Sequence, residues 1–119
     1  MASPRAATLS RKVQVMEQRV PLPSQPRVEW ELLKLLHLAR SMPTAEVYRV
    51  LADHFVLDSE QRSRMIGEVV HENAWHNLCR QARRRLVDQG WVKRYPHAQW
   101  SITASGDRRM TITAEELGL

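Results

Sequence analysis

At 119 residues, 43% apolar and 26% charged, the chain has the length and composition of one globular domain with a single core, not of a disordered segment. Its one cysteine, Cys79, excludes an internal disulfide and a multi-cysteine zinc cluster. No apolar run reaches the roughly 18 residues of a membrane span, and none near the start has signal-peptide length, so a cytoplasmic protein with no membrane partner is expected.

The net charge of +5 is unevenly distributed. Residues 1–27 carry five Lys/Arg against one acid, and residues 72–109 carry eight against three. The stretch between them, 28–71, has five against seven, and residues 110–119 hold two acids. Positive charge gathered at two places suggests a polyanionic partner, because a merely solvated surface mixes the signs.

Residues 1–26 read as a basic arm, flexible or dimerising. Within it, Val13, Val15 and Val20 suit a strand, while Val13, Met16 and Val20 have helical spacing. The Pro-rich run Pro21-Leu-Pro-Ser-Gln-Pro26 is expected to separate this arm from the domain. The first helix is expected over about 27–41, with Val28, Leu32, Leu35, Leu36 and Ala39 on one face, and Pro43 stops it. With Thr44 as its N-cap, a second helix is expected over about 44–55, where Val47, Val50, Leu51 and Phe55 form the core stripe. A short helix is expected at about 59–65, and residues 66–71 give mixed signals.

A long helix follows over about 72–89, with Gly90 placed to end it. Two strands, Trp91–Tyr95 and Gln99–Thr103, are joined through Pro96-His97-Ala98 and predict a hairpin. Gly106-Asp107 reads as a turn and Met110–Thr113 as a further short strand. Thr113 and Glu116 have capping-box spacing for a terminal helical turn. The resulting fold class is mainly α with a small β-hairpin, a winged helix-turn-helix over residues 27–106, with 107–119 as a C-terminal extension.

Projected at 100° per residue, the long helix places Trp75, Cys79, Ala82 and Leu86 on one face, with Leu78 at its edge. The opposite face collects Asn73, Asn77, Arg80, Arg84 and Asp88, flanked by His76, Gln81 and Val87, with Arg83 and Arg85 on the shoulders. Asn, Gln and Arg can make paired hydrogen bonds to adenine or guanine edges, and Arg and Lys neutralise phosphates. Lys93, Arg94 and His97 of the hairpin would reach the flanking backbone or minor groove. The candidate DNA-binding residues are therefore Asn73, His76, Asn77, Arg80, Gln81, Arg83, Arg84, Lys93, Arg94 and His97. The alternative for the helix is a solvated, Arg-rich face, and for the hairpin a lid closing the core with Trp91 and Trp100.

These residues resemble the N-terminal domain of Mrr-type restriction endonucleases. Asn77, Ala82, Leu86 and Gly90 have the family's spacing on its recognition helix, with Gln81 where the family has Trp. Trp100-Ser-Ile-Thr-Ala-Ser-Gly106 matches its wing pattern Trp-x-Ile/Leu-Thr-x-x-Gly, and His97-Ala98 stands in place of the usual Arg-Gly. Tyr48–Phe55, followed by Leu57, looks like the family's second helix. The resemblance spans about residues 28–106 and implies a winged-helix module that binds double-stranded DNA. In that family a nuclease domain of the Asp…Glu-x-Lys type follows the module. The chain holds no Glu-x-Lys tripeptide, so only the binding half is implied, as a regulator or a subunit that recruits an effector protein.

Enzyme chemistry is not expected. His71 and His76 are five apart, off the i, i+4 spacing that would stack two ligands on one helical face. Cys79 falls on the core face, and no Gly-rich phosphate loop occurs among four glycines. Neither a metal nor a cofactor is expected. The partner is expected to be double-stranded DNA, bound by a homodimer, with arm 1–26 either dimerising or touching DNA. The competing reading is a protein-interaction module on the same scaffold.

Overall fold

The computed structural model describes residues 19–116 and 118. The strand-or-helix reading of Val13 and Met16 lies outside the described residues. The elements in chain order are α1 (Gln25–Ala39), β1 (Ser41–Pro43), α2 (Thr44–His54), α3 (Ser59–Ser63), β2 (Met65–Ile66), β3 (Glu72–Asn73), α4 (Ala74–Asp88), β4 (Gln99–Ser101) and α5 (Ala104–Glu116). Helix α1 packs on α4, and α2, α3 and α5 close around that pair. Val28, Leu32 and Leu36 of α1 meet Trp75, Cys79, Ala82 and Leu86 of α4 in one core, sealed by Trp100 from β4.

Helix α1 begins inside the Pro-rich run, not after it. Pro26 sits in the first turn, where a missing N–H costs nothing because that donor has no intrahelical partner. Helix α1 ends at Arg40, whose φ of 71° and ψ of −45° turn the chain into β1. At α2, Pro43 occupies the N-cap, one position earlier than the Thr44 cap the sequence suggests, and Thr44 is the first helical residue. Asp58 and Gln61 form a reciprocal capping box on α3, with both backbone bonds at 2.8 Å.

The ambiguous stretch after α3 is a small antiparallel hairpin, with Met65 opposite Asn73 and Ile66 opposite Glu72. It turns at Gly67, whose φ of +95° needs glycine, since a Cβ there would lie 2.1 Å from the Val70 carbonyl oxygen. Helix α4 ends in a Schellman motif: Gly90 N–H bonds to Val87 O at 2.9 Å and Trp91 N–H to Leu86 O at 3.0 Å.

Two expectations are corrected. Strand β4 pairs mainly with β1, Ser41 opposite Ser101 and Met42 opposite Trp100, and touches the preceding segment only through the Val92–Ile102 bridge. That bridge is made by two backbone bonds, Lys93 N–H to Ser101 O and Thr103 N–H to Trp91 O. Residues 91–95 are nevertheless not a regular strand. The partner of β4 comes from 56 to 60 residues earlier, a long-range pairing invisible to local alternation.

The second correction concerns the C-terminus. Met110–Thr113 is not a strand and Gly106-Asp107 is not a turn, because both belong to α5. Gly106 is there for close packing: a Cβ would lie 2.2 Å from the Trp91 carbonyl oxygen. Thr113 caps nothing, since its hydroxyl donates to Arg109 O, one turn back. Helix α5 is part of the domain. Met110 is buried, and Asp107 accepts from His37 Nδ1 at 2.7 Å and from Arg40 at the end of α1. Partial burial works against the Asp107 carboxylate, but those two hydrogen bonds outweigh it and hold its pKa below the ordinary range.

Candidate nucleic-acid interface

Helix α4 is where sequence pattern and structure meet most closely. Trp75, Cys79, Ala82 and Leu86 are buried, and Arg80, Gln81, Arg84 and Arg85 are exposed. Burial pushes the Cys79 thiol up to about 12, against a small opposing effect of Arg80, so it behaves as an apolar core atom.

The candidate residues divide by what already holds them. Asn73 is the N-cap: its side-chain oxygen accepts from His76 N–H at 2.9 Å, and its Nδ2 donates to Arg62 O at 2.7 Å. Its amide is committed to the start of α4 and to the end of α3. Arg83 is likewise engaged. It is half-buried and reaches from α4 to the wing, donating to Lys93 O at 3.1 Å and Arg94 O at 2.8 Å. Its guanidinium lies 5.4 Å from the Trp100 ring centroid. Burial lowers its pKa, Tyr48 opposes that shift and Arg94 adds to it.

His76 is half-buried and stacked on Tyr48, with ring centroids 4.1 Å apart and planes 11° from parallel. Burial first, and then the charge of Arg80, lowers its pKa, so the imidazole is held neutral with one donor and one acceptor nitrogen. Tyr48 also meets Trp100 edge-on at 5.7 Å. A continuous contact therefore runs from His76 through Tyr48 and Trp100 to Arg83, joining α4, α2 and the wing. Tyr48 carries no sequence signal beyond its place beside the core stripe.

Asn77, Gln81, Arg84, Lys93, Arg94 and His97 make no side-chain hydrogen bond or ion pair among the described residues. Arg80 has only a 3.7 Å approach to Glu72. At the wing, Thr44 Oγ1 and Trp100 Nε1 both donate to the His97 carbonyl oxygen, at 2.8 and 3.0 Å, and Thr44 N–H donates to Ala98 O at 3.0 Å. The wing tip is thus fastened to the start of α2, while the Lys93, Arg94 and His97 side chains stay exposed. The Asn77–Arg80–Gln81–Arg84 face and the Lys93–Arg94–His97 wing together form a polar, cationic surface with free hydrogen-bonding groups.

The four defining residues of the Trp100–Gly106 motif, Trp100, Ile102, Thr103 and Gly106, each have a structural task. Trp100 and Ile102 fill the core, and Thr103 Oγ1 accepts from Gly106 N–H at 3.0 Å while donating to Gly90 O at 2.6 Å. Gly106 lets α5 approach Trp91. A helical core whose last long helix runs into a small β unit fastened to α2 defines a winged helix-turn-helix domain. Residues 27–111 match the Mrr N-terminal domain family, well over half of the chain, and the chain belongs to that family. That membership associates it with restriction systems. No curated protein and no solved structure matches it significantly.

Among the described residues no helix is long and apolar enough to cross a membrane, and no group of three or more His, Cys, Asp or Glu is placed to hold a metal.

Proposed function

We propose that this domain is a reader of double-stranded DNA in the cytoplasm, without cleavage activity of its own, and that it serves a restriction-type system as a regulator or recruiting subunit. The observation that carries the reading is the outer face of α4: Asn77, Arg80, Gln81 and Arg84 point away from the core with their hydrogen-bonding groups unspent. Helix α4 enters the major groove, where Asn77 and Gln81 suit adenine edges and Arg80 and Arg84 suit guanine or phosphate. His76, rigid and neutral, adds a donor or acceptor beside them. Lys93, Arg94 and His97 meet the flanking backbone. Asn73 and Arg83 act through structure, the first by starting the helix and the second by holding the wing. Binding as a two-fold dimer fits such modules and would set the spacing of half-sites.

Arg80→Ala combined with Arg84→Ala tests this reading. The double variant is expected to keep its circular dichroism and melting temperature, because both side chains are exposed. It is expected to lose about 10-fold or more in duplex affinity at moderate salt. Wild-type affinity in that variant would place the site elsewhere.

A protein partner is the second reading, favoured by the groove between α1 and α2. Leu35, Leu38 and Val50 line it, and Leu38 is 78% exposed. Such a partner would be the effector that the domain brings to DNA.

A further inference from the structure

The tip of the wing carries one large side chain that neither the core nor the cationic groups account for. Tyr95 is 66% exposed, and its neighbour His97 meets it edge-on, with ring centroids 4.9 Å apart and planes at 79°. An edge-on neighbour covers at most one of a ring's two faces, so at least one face of Tyr95 is open to solvent. The backbone on both sides of it is anchored. Before it, the Lys93 and Arg94 carbonyl oxygens accept from Arg83 of α4. After it, the His97 carbonyl oxygen accepts from Thr44 and Trp100, and that of Ala98 from the Thr44 N–H. The ring is thereby displayed from a fastened frame, not from a loose loop.

We infer that Tyr95 is a stacking platform for a nucleobase that has left the duplex stack, so that the domain favours DNA with an unpaired base beside the segment that α4 reads. The inference rests on the DNA reading above and deepens it by naming the state of the DNA. In an intact duplex the faces of each base are covered by its neighbours, and the grooves offer only edges. An open tyrosine face therefore has no matching surface on paired DNA. An unpaired base does offer a π-face, and an aromatic ring set among cations is how proteins hold unstacked bases. The surroundings of Tyr95 supply that setting. The Lys93 and Arg94 side chains are exposed, and residues 89–106 include no Asp or Glu that would repel a neighbouring phosphate. The two bonds from Arg83 hold the platform at a fixed place relative to α4, so the unpaired base is expected next to the paired segment in the groove and not within it.

The test measures binding of the full chain to two short duplexes at moderate salt. One is fully paired, and the other has a single fluorescent purine analogue bulged from one strand. Stacking on one aromatic ring predicts about 10-fold tighter binding to the bulged duplex, with quenching of the purine's emission in the complex. Tyr95→Ala is expected to reduce that preference to within about 2-fold and to abolish the quenching. Its melting temperature and its affinity for the paired duplex should be unchanged, because the ring is exposed. Tyr95→Phe is expected to keep the preference, since stacking uses the ring and not the hydroxyl. Equal affinity of the wild-type chain for both duplexes overturns the inference and leaves the helix-and-wing reading standing. A preference that survives Tyr95→Ala also overturns it, and assigns the effect to the greater flexibility of bulged DNA. So does an equal loss on both duplexes in Tyr95→Ala, which would make the ring a general contact. Failure of the wild-type chain to bind either duplex overturns both readings.

Discussion

Arg83 illustrates how one side chain sets a surface without belonging to it. Its two hydrogen bonds to Lys93 O and Arg94 O, and its place over Trp100, fix the angle between wing and recognition helix. Its Nε is buried without a partner among the described residues, which offsets part of that gain. Arg83→Ala is expected to cost only about 1 kcal/mol in stability, while speeding hydrogen exchange at the Lys93 amide and weakening duplex binding. Arg83→Lys is not expected to restore binding, because one ammonium cannot span both carbonyls from above the indole. Unchanged exchange at Lys93 in the alanine variant would count against the latch. At this scale the sequence was least informative. Asn73 and Arg83 carry the chemistry of base readers, and only the arrival of Arg62 O and the wing carbonyls beside them shows that they are already engaged.

Glu60 is the second informative residue. Hydrogen bonds from Arg64 and then Arg19 lower its pKa from 4.5 to about 2, against a smaller opposing effect of desolvation. A depressed carboxylate pKa contributes stability that is complete above the ordinary value and is lost as pH falls through the folded one. These contacts to Glu60 are therefore expected to loosen between about pH 4.5 and 2. Glu60→Gln should lower the melting temperature at pH 7, and the gap to wild type should close across that acid range. A gap that is absent at pH 7, or that persists undiminished at pH 2, would contradict the role given to these contacts.

Among the elements, helices were the most legible, because a 3.6-residue apolar period reports burial directly. α1, α2 and α4 fall within about two residues of the sequence expectation, and Gly90 ends α4 as its position suggests. The β elements were not so legible. β1 is three residues ending at Pro43, and its partner β4 lies far along the chain. α5 was hidden by residues that ordinarily signal turns and strands: Gly106 serves close packing, and β-branched Thr111, Ile112 and Thr113 are carried by a helix anchored through Met110 and Asp107. The end of α2 carries a local conflict. Val56 adopts φ of 54° to close the helix, with Leu57 N–H on Ala52 O, yet its side chain is 84% exposed. A β-branched residue in that region costs roughly 1–2 kcal/mol, and no packing compensates. Val56→Gly is expected to stabilise the domain by about 0.5–1 kcal/mol after the entropy of glycine is counted, read as a higher urea midpoint. A lower midpoint would show that the valine contributes something its exposure hides.

For the whole molecule, the uneven charge of the sequence becomes an arrangement in space. The exposed cations of α4 and the wing face solvent, and residues 19–21 are held on α3, whose following residue Arg64 bonds to the start of α4. The core behind them is built from α1, α2 and the buried side of α4, closed by Trp100 and by Met110 of α5. The wing motif and the helix spacing located this surface from sequence, since the same residues that close the core also position the exposed ones. What could not be read was the division of labour, because contacts such as Asn73 to Arg62 and Arg64 to Val20 depend on how distant segments meet. The central claim, that this surface takes duplex DNA, is tested most directly by the affinity of the wild-type chain for a random duplex across a range of salt. Arg80, Arg84, Lys93 and Arg94 predict a slope of log K against log salt steeper than about −3. A slope near zero, or no binding at about 50 mM salt, would contradict the account.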